Sequence, residues 1–147
     1  MVLMLDTNVI LDHVMRREPH REASRMVCML GITGEARTLA SVSMVTDLFY
    51  LLCKDYGSEM AQRMIAEDLS FLEYVGISPD DVETALSRRW KDLEDCLVAV
   101  CAEKAGADFI VTRNAADFTN SKIKALSPKE LLAWFERSGS SYEALDW

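Results

Sequence analysis

A buried strand and the start of a helix meet in one stretch of the sequence, Val2-Leu3-Met4-Leu5-Asp6-Thr7-Asn8-Val9-Ile10-Leu11-Asp12. Its first four residues are continuously apolar, which is typical of a parallel strand covered on both faces. Asp6 stands where this strand should end, and either Asp6 or Thr7 is placed to cap the helix that follows. The stretch therefore predicts a carboxylate at the carboxyl end of a strand, where open α/β sheets bind their ligands.

The length and composition of the chain suit one globular domain. With 147 residues the chain is long enough to bury a core of its own, and we expect one domain at 1–139 and a loose tail at 140–147. Hydrophobic residues make up 50% and charged residues 27% of the chain, which disfavours disorder. We find neither an apolar run of roughly 20 residues nor a signal peptide, so we expect a cytoplasmic protein with no membrane partner.

The net charge of −8 disfavours a surface that coats nucleic acid broadly. It does not exclude an enzyme that acts on nucleic acid. Acidic side chains can converge on a divalent cation, and the cation then makes the local electrostatic potential positive. The cysteines have no CxxC spacing and lie among apolar residues in helical segments, so we interpret them as buried, reduced thiols. They are Cys28, Cys53, Cys96 and Cys101.

Strand patterns alternate with helix patterns along the chain. Strands are predicted at 2–5, 38–42, 74–77, 108–112 and, marginally, within 121–126. The second helix should end at Gly31 and Gly34, and Ser43, Ser78 and Ser127 are placed to cap later helices. This alternation predicts a mainly parallel sheet covered on both faces. If the first and fourth strands flank the reversal of strand order, Asp6 and the segment 112–117 open into one crevice.

Acidic side chains occur at four places near that edge: Asp6, Asp47, the pair Asp92 and Asp95, and Asp117. Asp92 and Asp95 are three residues apart, about 60° around a helix axis, so they share a face. Hard divalent cations favour carboxylate and water oxygens, and phosphoryl transfer uses such cations. Each acid also has a structural alternative, since Asp6 and Asp92 suit helix caps and Asp47 suits a solvated helix face.

Taken together, three segments resemble the signature blocks of the PIN domain family. The segments are Leu5–Asp12, Asp92–Leu97 and Val111–Phe118, and the likeness extends over almost the whole chain. Within that family the chain resembles single-domain bacterial proteins of the VapC toxin type. The resemblance implies a three-layer α/β/α sandwich with a five-stranded parallel sheet, endoribonuclease activity on RNA, and a Mg²⁺ or Mn²⁺ site. It also implies a small antitoxin as partner and a homodimer.

The resemblance assigns catalytic roles by motif position. Asp6, Asp47, Asp95 and Asp117 are the four catalytic acids. Of these, Asp6, Asp95 and Asp117 would hold the metal, and Asp47 would orient or deprotonate the attacking water. The second acid of such toxins is often glutamate, so the shorter Asp47 would reach the metal through a water.

Four further residues are expected to support this site. They are Asn8, Asp92, Thr112 and Asn114. Asn8 and Thr112 match polar positions that act through hydrogen bonds. Many relatives carry an acid at the position of Asn114, so either Asn114 or Asp117 would lie nearer the metal.

Other α/β proteins also place an aspartate after the first strand. A haloacid-dehalogenase-type phosphatase needs a second acid where this chain has Asn8, and a response-regulator receiver needs an aspartate after the third strand, where this chain has Ser78-Pro79. Both classes fit poorly. A non-catalytic PIN-fold binding module, or one silenced by a partner, is the alternative that stays open.

Two sets of side chains have open interpretations as contact surfaces. Six basic residues could hold RNA phosphates or be ordinary surface charges: Arg16, Arg17, Arg88, Arg89, Lys91 and Arg113. Three apolar residues of the third helix could serve a dimer or partner surface, or pack in the core: Leu48, Phe49 and Leu52.

Overall fold

The computed structural model describes residues 1–139, and residues 140–147, where the tail is predicted, lie outside the described part. The strands are β1 (Val2–Leu5), β2 (Arg37–Ser41), β3 (Leu72–Val75), β4 (Phe109–Val111) and β5 (Ala125–Leu126). The α-helices are α1 (Thr7–Val14), α2 (Arg21–Ile32), α3 (Met44–Tyr56), α4 (Ser58–Arg63), α5 (Pro79–Arg88), α6 (Leu93–Lys104) and α7 (Pro128–Arg137). A π-helical turn covers Met64–Asp68, and a 3-10 turn covers Ala115–Phe118.

The strands form one sheet in the order β3-β2-β1-β4-β5, and every pairing is parallel. The chain adds β2 and β3 on one side of β1 and then returns to add β4 and β5 on the other side. The first and fourth strands therefore flank the reversal of strand order, which is the condition under which Asp6 and the segment 112–117 were expected to share a crevice. Their carboxyl ends open into the crevice where such sheets bind ligands.

Helices cover the sheet on both faces. Helix α6 packs against β1, β2 and β4, and α5 packs against α6. A separate group, in which α2 contacts α1, α7 and β2, provides the other layer. The side chains of Leu3, Met4 and Leu5 are fully buried, because β1 lies at the centre of the sheet between the two layers. The predicted three-layer α/β/α fold is confirmed.

Serine and proline start two of the helices as predicted. Ser78 Oγ accepts a hydrogen bond from the backbone N of Asp81, and Asp81 Oδ2 accepts one from the backbone N of Ser78. Ser127 and Glu130 form the same capping box at the start of α7. The prediction for Ser43 was wrong in part: Ser43 precedes α3, but its hydroxyl pairs with Ser41 Oγ at 2.6 Å instead of capping the helix.

The predicted bounds of the third strand were wrong. Strand β3 begins at Leu72, two residues before the predicted range, because α4 ends at Arg63 and a π-helical turn follows it. Strand β5 was predicted within 121–126, and its two residues, Ala125–Leu126, lie inside that range.

Gly31 lies inside α2 rather than at its end, contrary to the prediction. A Cβ atom at this position would lie 2.3 Å from Thr38 Oγ1 on β2, so the missing side chain lets helix and strand lie close together. Gly34, with a φ of +81°, follows the helix and turns the chain toward β2.

Burial settles the interpretation of several apolar side chains. Leu48 and Leu52 are fully buried, so these two pack in the core, while Phe49 is half-buried. Cys28, Cys96 and Cys101 are buried, Cys53 is half-buried, and all four are free thiols. Leu93, the first residue of α6, is 42% exposed. Among residues 1–139, we find no helix whose length and apolar character would let it cross a membrane.

Candidate active site

Asp6 joins the carboxyl ends of β1 and β4. Its backbone N donates to the carbonyl O of Val111 at 2.9 Å, which continues the ladder between the two strands. Its Oδ1 accepts a hydrogen bond of 2.9 Å from the backbone N of Thr7, which caps α1. Its Oδ2 accepts a hydrogen bond of 2.8 Å from Oγ1 of the fully buried Thr112. Asp6 therefore caps α1 with one oxygen and accepts a hydrogen bond across the sheet with the other.

The surroundings of Asp6 disfavour its charged form. Burial raises the pKa of the Asp6 carboxyl above its ordinary value, and the negative charge of Asp92 acts in the same direction. The hydrogen bonds from Thr112 and Thr7 and the positive charge of Arg113 offset part of this shift. A positive charge brought to the crevice would stabilise the Asp6 carboxylate.

Asp92 and Asp95 lie at the amino end of α6. Asp92 Oδ1 accepts a hydrogen bond of 3.1 Å from the backbone N of Asp95, so Asp92 is the helix cap. Partial burial raises the pKa of Asp95 to about 7, with further contributions from the negative charges of Asp92, Asp6 and Asp117. The mutual effect shows that acids from three separate parts of the chain come together at this edge of the sheet.

The 3-10 turn after β4 supplies the remaining predicted residues. The backbone N of Asn114 donates to Thr112 Oγ1 at 3.1 Å, while the Asn114 side chain makes no capping hydrogen bond. Asp117 lies on this turn and borders a cleft of about 490 Å³. The cleft is lined by Trp90, Lys91, Asp92, Ala116, Asp117 and Asn120. Two of the predicted acids therefore face one cleft.

Asp47 lies at the rim of the site, exposed on the first turn of α3. Its nearest acidic partner is Glu94, which the sequence-based prediction missed. The pKa of Glu94 is raised by desolvation, by the negative charge of Asp47, and by a hydrogen bond that the two carboxyls share. The signal for Glu94 was present in the acidic run from Asp92 to Asp95, where only the two aspartates were singled out.

The donor set fits a hard divalent cation that keeps part of its water shell. Within residues 1–139, no three acidic, histidine or cysteine side chains are grouped closely enough to enclose a metal ion directly. Mg²⁺, however, is usually bound through one or two carboxylates and several waters. Asn8 Oδ1, two residues after Asp6, is buried without a hydrogen-bond partner. A hydrated cation in the crevice would offset the repulsion among Asp6, Asp92, Asp95 and Asp117.

Three of the six basic side chains considered for RNA phosphates, Arg17, Arg88 and Arg113, are paired with acids. Buried Asp12, 1% exposed, lies 3.1 Å from Arg17 Nε and 2.9 Å from Arg113 Nε. Arg88 forms a two-pronged ion pair with Glu103. The prediction gave Asp12 no role, and the structure shows that it fixes the arginine next to Thr112.

The model of one protein family matches residues 2–116 of the chain, and that family is the PIN domain. The chain belongs to the PIN domain family. The match includes Asp6, Asp47, Asp95 and Thr112 and ends just before Asp117.

Individual PIN domain proteins resemble the chain over most of its length. Ribonuclease VapC1 of Aquifex aeolicus (strain VF5) is 28% identical over 133 residues, which are 87% of this chain and 91% of that protein. VapBC2 from Rickettsia felis, solved with a DNA fragment from its promoter, superposes with a TM-score of 0.65 at 21% identity and covers 86% of this chain and 98% of its own. A toxin-antitoxin complex from Klebsiella pneumoniae gives a TM-score of 0.65 at 22% identity, with 86% and 97% covered. These two structures share the fold of this chain.

Proposed function

We propose that this PIN domain protein is a Mg²⁺- or Mn²⁺-dependent endoribonuclease that hydrolyses RNA phosphodiester bonds and acts as the toxin of a toxin–antitoxin pair. One observation carries the proposal: at the sheet's switch point Thr112 donates a hydrogen bond to Asp6 and leads into the turn that carries Asp117, and Asp117 lines one cleft with Asp92. The similarity to a ribonuclease and to a toxin-antitoxin complex supports the substrate and the role.

In this proposal Asp6, Asp95 and Asp117 would hold the metal ion, in part through its bound waters. The ion would supply a positive charge that activates water and stabilises the departing oxygen. Asp6 is already oriented for this role, because Thr7 and Thr112 fix its two oxygens. Asn8, whose Oδ1 is buried without a hydrogen-bond partner, would support the site from the first turn of α1.

The chain's own residues then handle the proton of the attacking water. Asp47 accepts this proton while the water oxygen bonds to phosphorus, and the bond from phosphorus to the leaving oxygen breaks. Glu94, whose pKa is raised by desolvation and by the negative charge of Asp47, is the carboxyl that interacts with this base and would take part in the proton transfer.

Cleavage of RNA by an Asp6→Asn variant is the decisive experiment. We expect the purified variant to fold and to lose Mg²⁺-dependent cleavage, because the amide carries no charge for the metal. Asp108→Asn is the matched control, since Asp108 accepts a hydrogen bond from the backbone N of Val2 at the opposite end of the same two strands. Cleavage retained by Asp6→Asn, in a preparation free of contaminating nuclease, would refute the proposal.

Metal binding separates the enzyme from the non-catalytic alternative. Calorimetric titration with Mg²⁺ should show binding to the wild type and a clear loss in Asp6→Asn and Asp95→Asn. Chelation should abolish cleavage, and added Mn²⁺ should restore it. A wild type that binds no metal, and that cleaves RNA equally well in chelator, would exclude a metal-dependent mechanism.

The proposed partners are an antitoxin and a second copy of the chain. The antitoxin is supported by the complexes in which the structural relatives were solved. A groove lined by Val45, Phe49, Ile65 and neighbouring side chains offers apolar surface on α3 and the π-helical turn. Light scattering of the purified protein tests the homodimer, and co-purification with the product of the neighbouring gene tests the antitoxin.

A further inference from the structure

The cleft beside the proposed metal site has an aromatic wall. Trp90 lies in the short connection between α5 and α6, and it borders the cleft together with Asp92 and Asp117. The backbone of Arg89 just before it is left-handed, with a φ of 55°, which ends α5 and turns the chain toward α6. Trp90 thus reaches the cleft from a sharp turn and not from a helix face.

The Trp90 ring is held in place by a second aromatic ring. It packs edge to face on Phe118, with ring centroids 6.1 Å apart and an interplanar angle of 82°. Phe118 is 3% exposed and directly follows Asp117, while Asp92 is two residues after Trp90. The aromatic pair therefore fixes Trp90 relative to acids on both sides of the cleft. A side chain fixed in this way loses little entropy when a ligand binds to it.

The charges of the cleft restrict what can lie against Trp90. Away from the metal ion that Asp117 would hold, the carboxylate of Asp92 repels a phosphate group, and Lys91 is the only cationic side chain among the six residues that line the cleft. A nucleobase is flat and uncharged, and it stacks on aromatic side chains. Asn120, the one uncharged amide on the wall, can both donate and accept hydrogen bonds at a base edge.

We propose that Trp90 is a stacking platform for an unpaired base of the RNA substrate, next to the bond that is cut, with Asn120 contacting the edge of that base. This inference rests on the proposed ribonuclease function. A base must leave its helix to stack on a protein side chain, so the substrate is single-stranded or looped RNA and not a continuous duplex.

The test is a graded series of substitutions at Trp90 in the Asp6→Asn background, where bound RNA is not cut. Fluorescence anisotropy with a labelled, unstructured oligoribonucleotide should show Trp90→Phe within a few-fold of the parent and Trp90→Leu roughly tenfold weaker. Binding of a duplex of the same sequence should be unaffected by either change. Trp134→Leu is the matched control, because Trp134 packs edge to face on Phe109 at the opposite end of β4.

A spectroscopic readout keeps the test decisive if Trp90→Leu folds poorly. Stacking should quench indole emission when the unstructured RNA binds, and the quenching should be absent in Trp90→Phe. In the cleaving protein, Trp90→Phe should change KM by no more than a few-fold, whereas Trp90→Leu should raise KM and leave kcat within a few-fold. Equal binding by Trp90→Leu, or quenching that persists in Trp90→Phe, would overturn the proposal.

The two proposals fail in different ways. If Asp6 controls cleavage but the Trp90 series leaves RNA binding unchanged, the platform is wrong and the ribonuclease stands. If no preparation cleaves RNA but Trp90→Leu still binds the unstructured RNA more weakly than Trp90→Phe, the platform stands and the catalytic proposal is wrong.

Discussion

Thr112 Oγ1 donates a hydrogen bond of 2.8 Å to Asp6 Oδ2 and accepts one of 3.1 Å from the backbone N of Asn114. One buried hydroxyl thus connects the acid that ends β1 to the turn that carries Asp117. Each of its two bonds fixes a different part of the site. The geometry of the acidic crevice depends on this hydroxyl more directly than on any apolar contact.

Replacing Thr112 with valine keeps the shape of the side chain and removes the hydroxyl. We expect cleavage to fall by roughly tenfold or more and stability to fall by about 1–3 kcal/mol, because the buried Asp6 oxygen loses its donor. Thr112→Ser is the control and should retain most activity. Single-turnover cleavage and urea unfolding measure the two effects. Equal cleavage rates for the valine and serine variants would contradict this role.

Asp12 holds two arginines at once, and its removal should be costly. In Asp12→Asn, Arg17 and Arg113 lose the buried charge between them, and we expect a loss of at least about 2 kcal/mol in the free energy of unfolding. Glu22→Gln is the control, because the Glu22 side chain is 72% exposed and lies 3.8 Å from Arg25. That change should cost less than about 0.5 kcal/mol. Chemical denaturation tests both, and similar losses would show that Asp12 is no more than a surface charge.

The raised pKa of Asp95 predicts how stability depends on pH in the metal-free protein. The folded state binds the Asp95 proton at about pH 7, above the ordinary value of 3.8, so protonation favours folding. The melting temperature in chelator should therefore rise as the pH is lowered from about 8 to about 5. Asp6 and Glu94 act in the same direction, so the difference between wild type and Asp95→Asn isolates this group. Identical pH profiles for the two proteins would contradict it.

Substitution of Gly31 tests whether the fold requires α2 to lie close to β2. A methyl group there meets Thr38 Oγ1 at 2.3 Å, so Gly31→Ala should destabilise the fold by about 1–3 kcal/mol. Gly76→Ala is the matched control, since a Cβ at that position has no neighbour within 4 Å. Thermal unfolding of the two variants should differ clearly. A neutral Gly31→Ala would show that the helix can move away from the strand without cost.

Local sequence chemistry predicted much of the fold. The apolar run of β1 and the Ser-Pro starts of α5 and α7 follow from patterns a few residues long, whereas the place of the switch between β1 and β4 was left open. The start of β3 could not be predicted from such a pattern. Leu69, just after the π-helical turn, and Leu72, the first residue of β3, are both buried, so the apolar spacing does not mark where the helical part of the chain ends. Gly31 was misread for a similar reason: its role depends on Thr38, which lies on another element.

The candidate site, like the fold, was predicted where local patterns determine it and missed where contacts between elements do. Asp6 and Asp92 were identified as both cap and site residues because each stands at an element boundary that sequence chemistry marks. Glu94 was missed because its significance comes from Asp47, which belongs to a different helix. The role of Asp12 likewise depends on Arg113, a residue distant in the chain. Interactions between elements, rather than propensities within them, account for what the sequence did not reveal.

The chain adds β4 beside β1 only after it has added β2 and β3. This order determines when the acidic crevice can form. Asp6 and Thr112 are 106 positions apart, so a chain that is still being synthesised exposes Asp6 long before its hydrogen-bond donor emerges. Until β4 pairs with β1, the aspartate is only a helix cap, and the acids of α6 have no neighbour across the crevice. The order of the strands thus delays assembly of the acidic crevice until β4 and the turn that carries Asp117 have been synthesised.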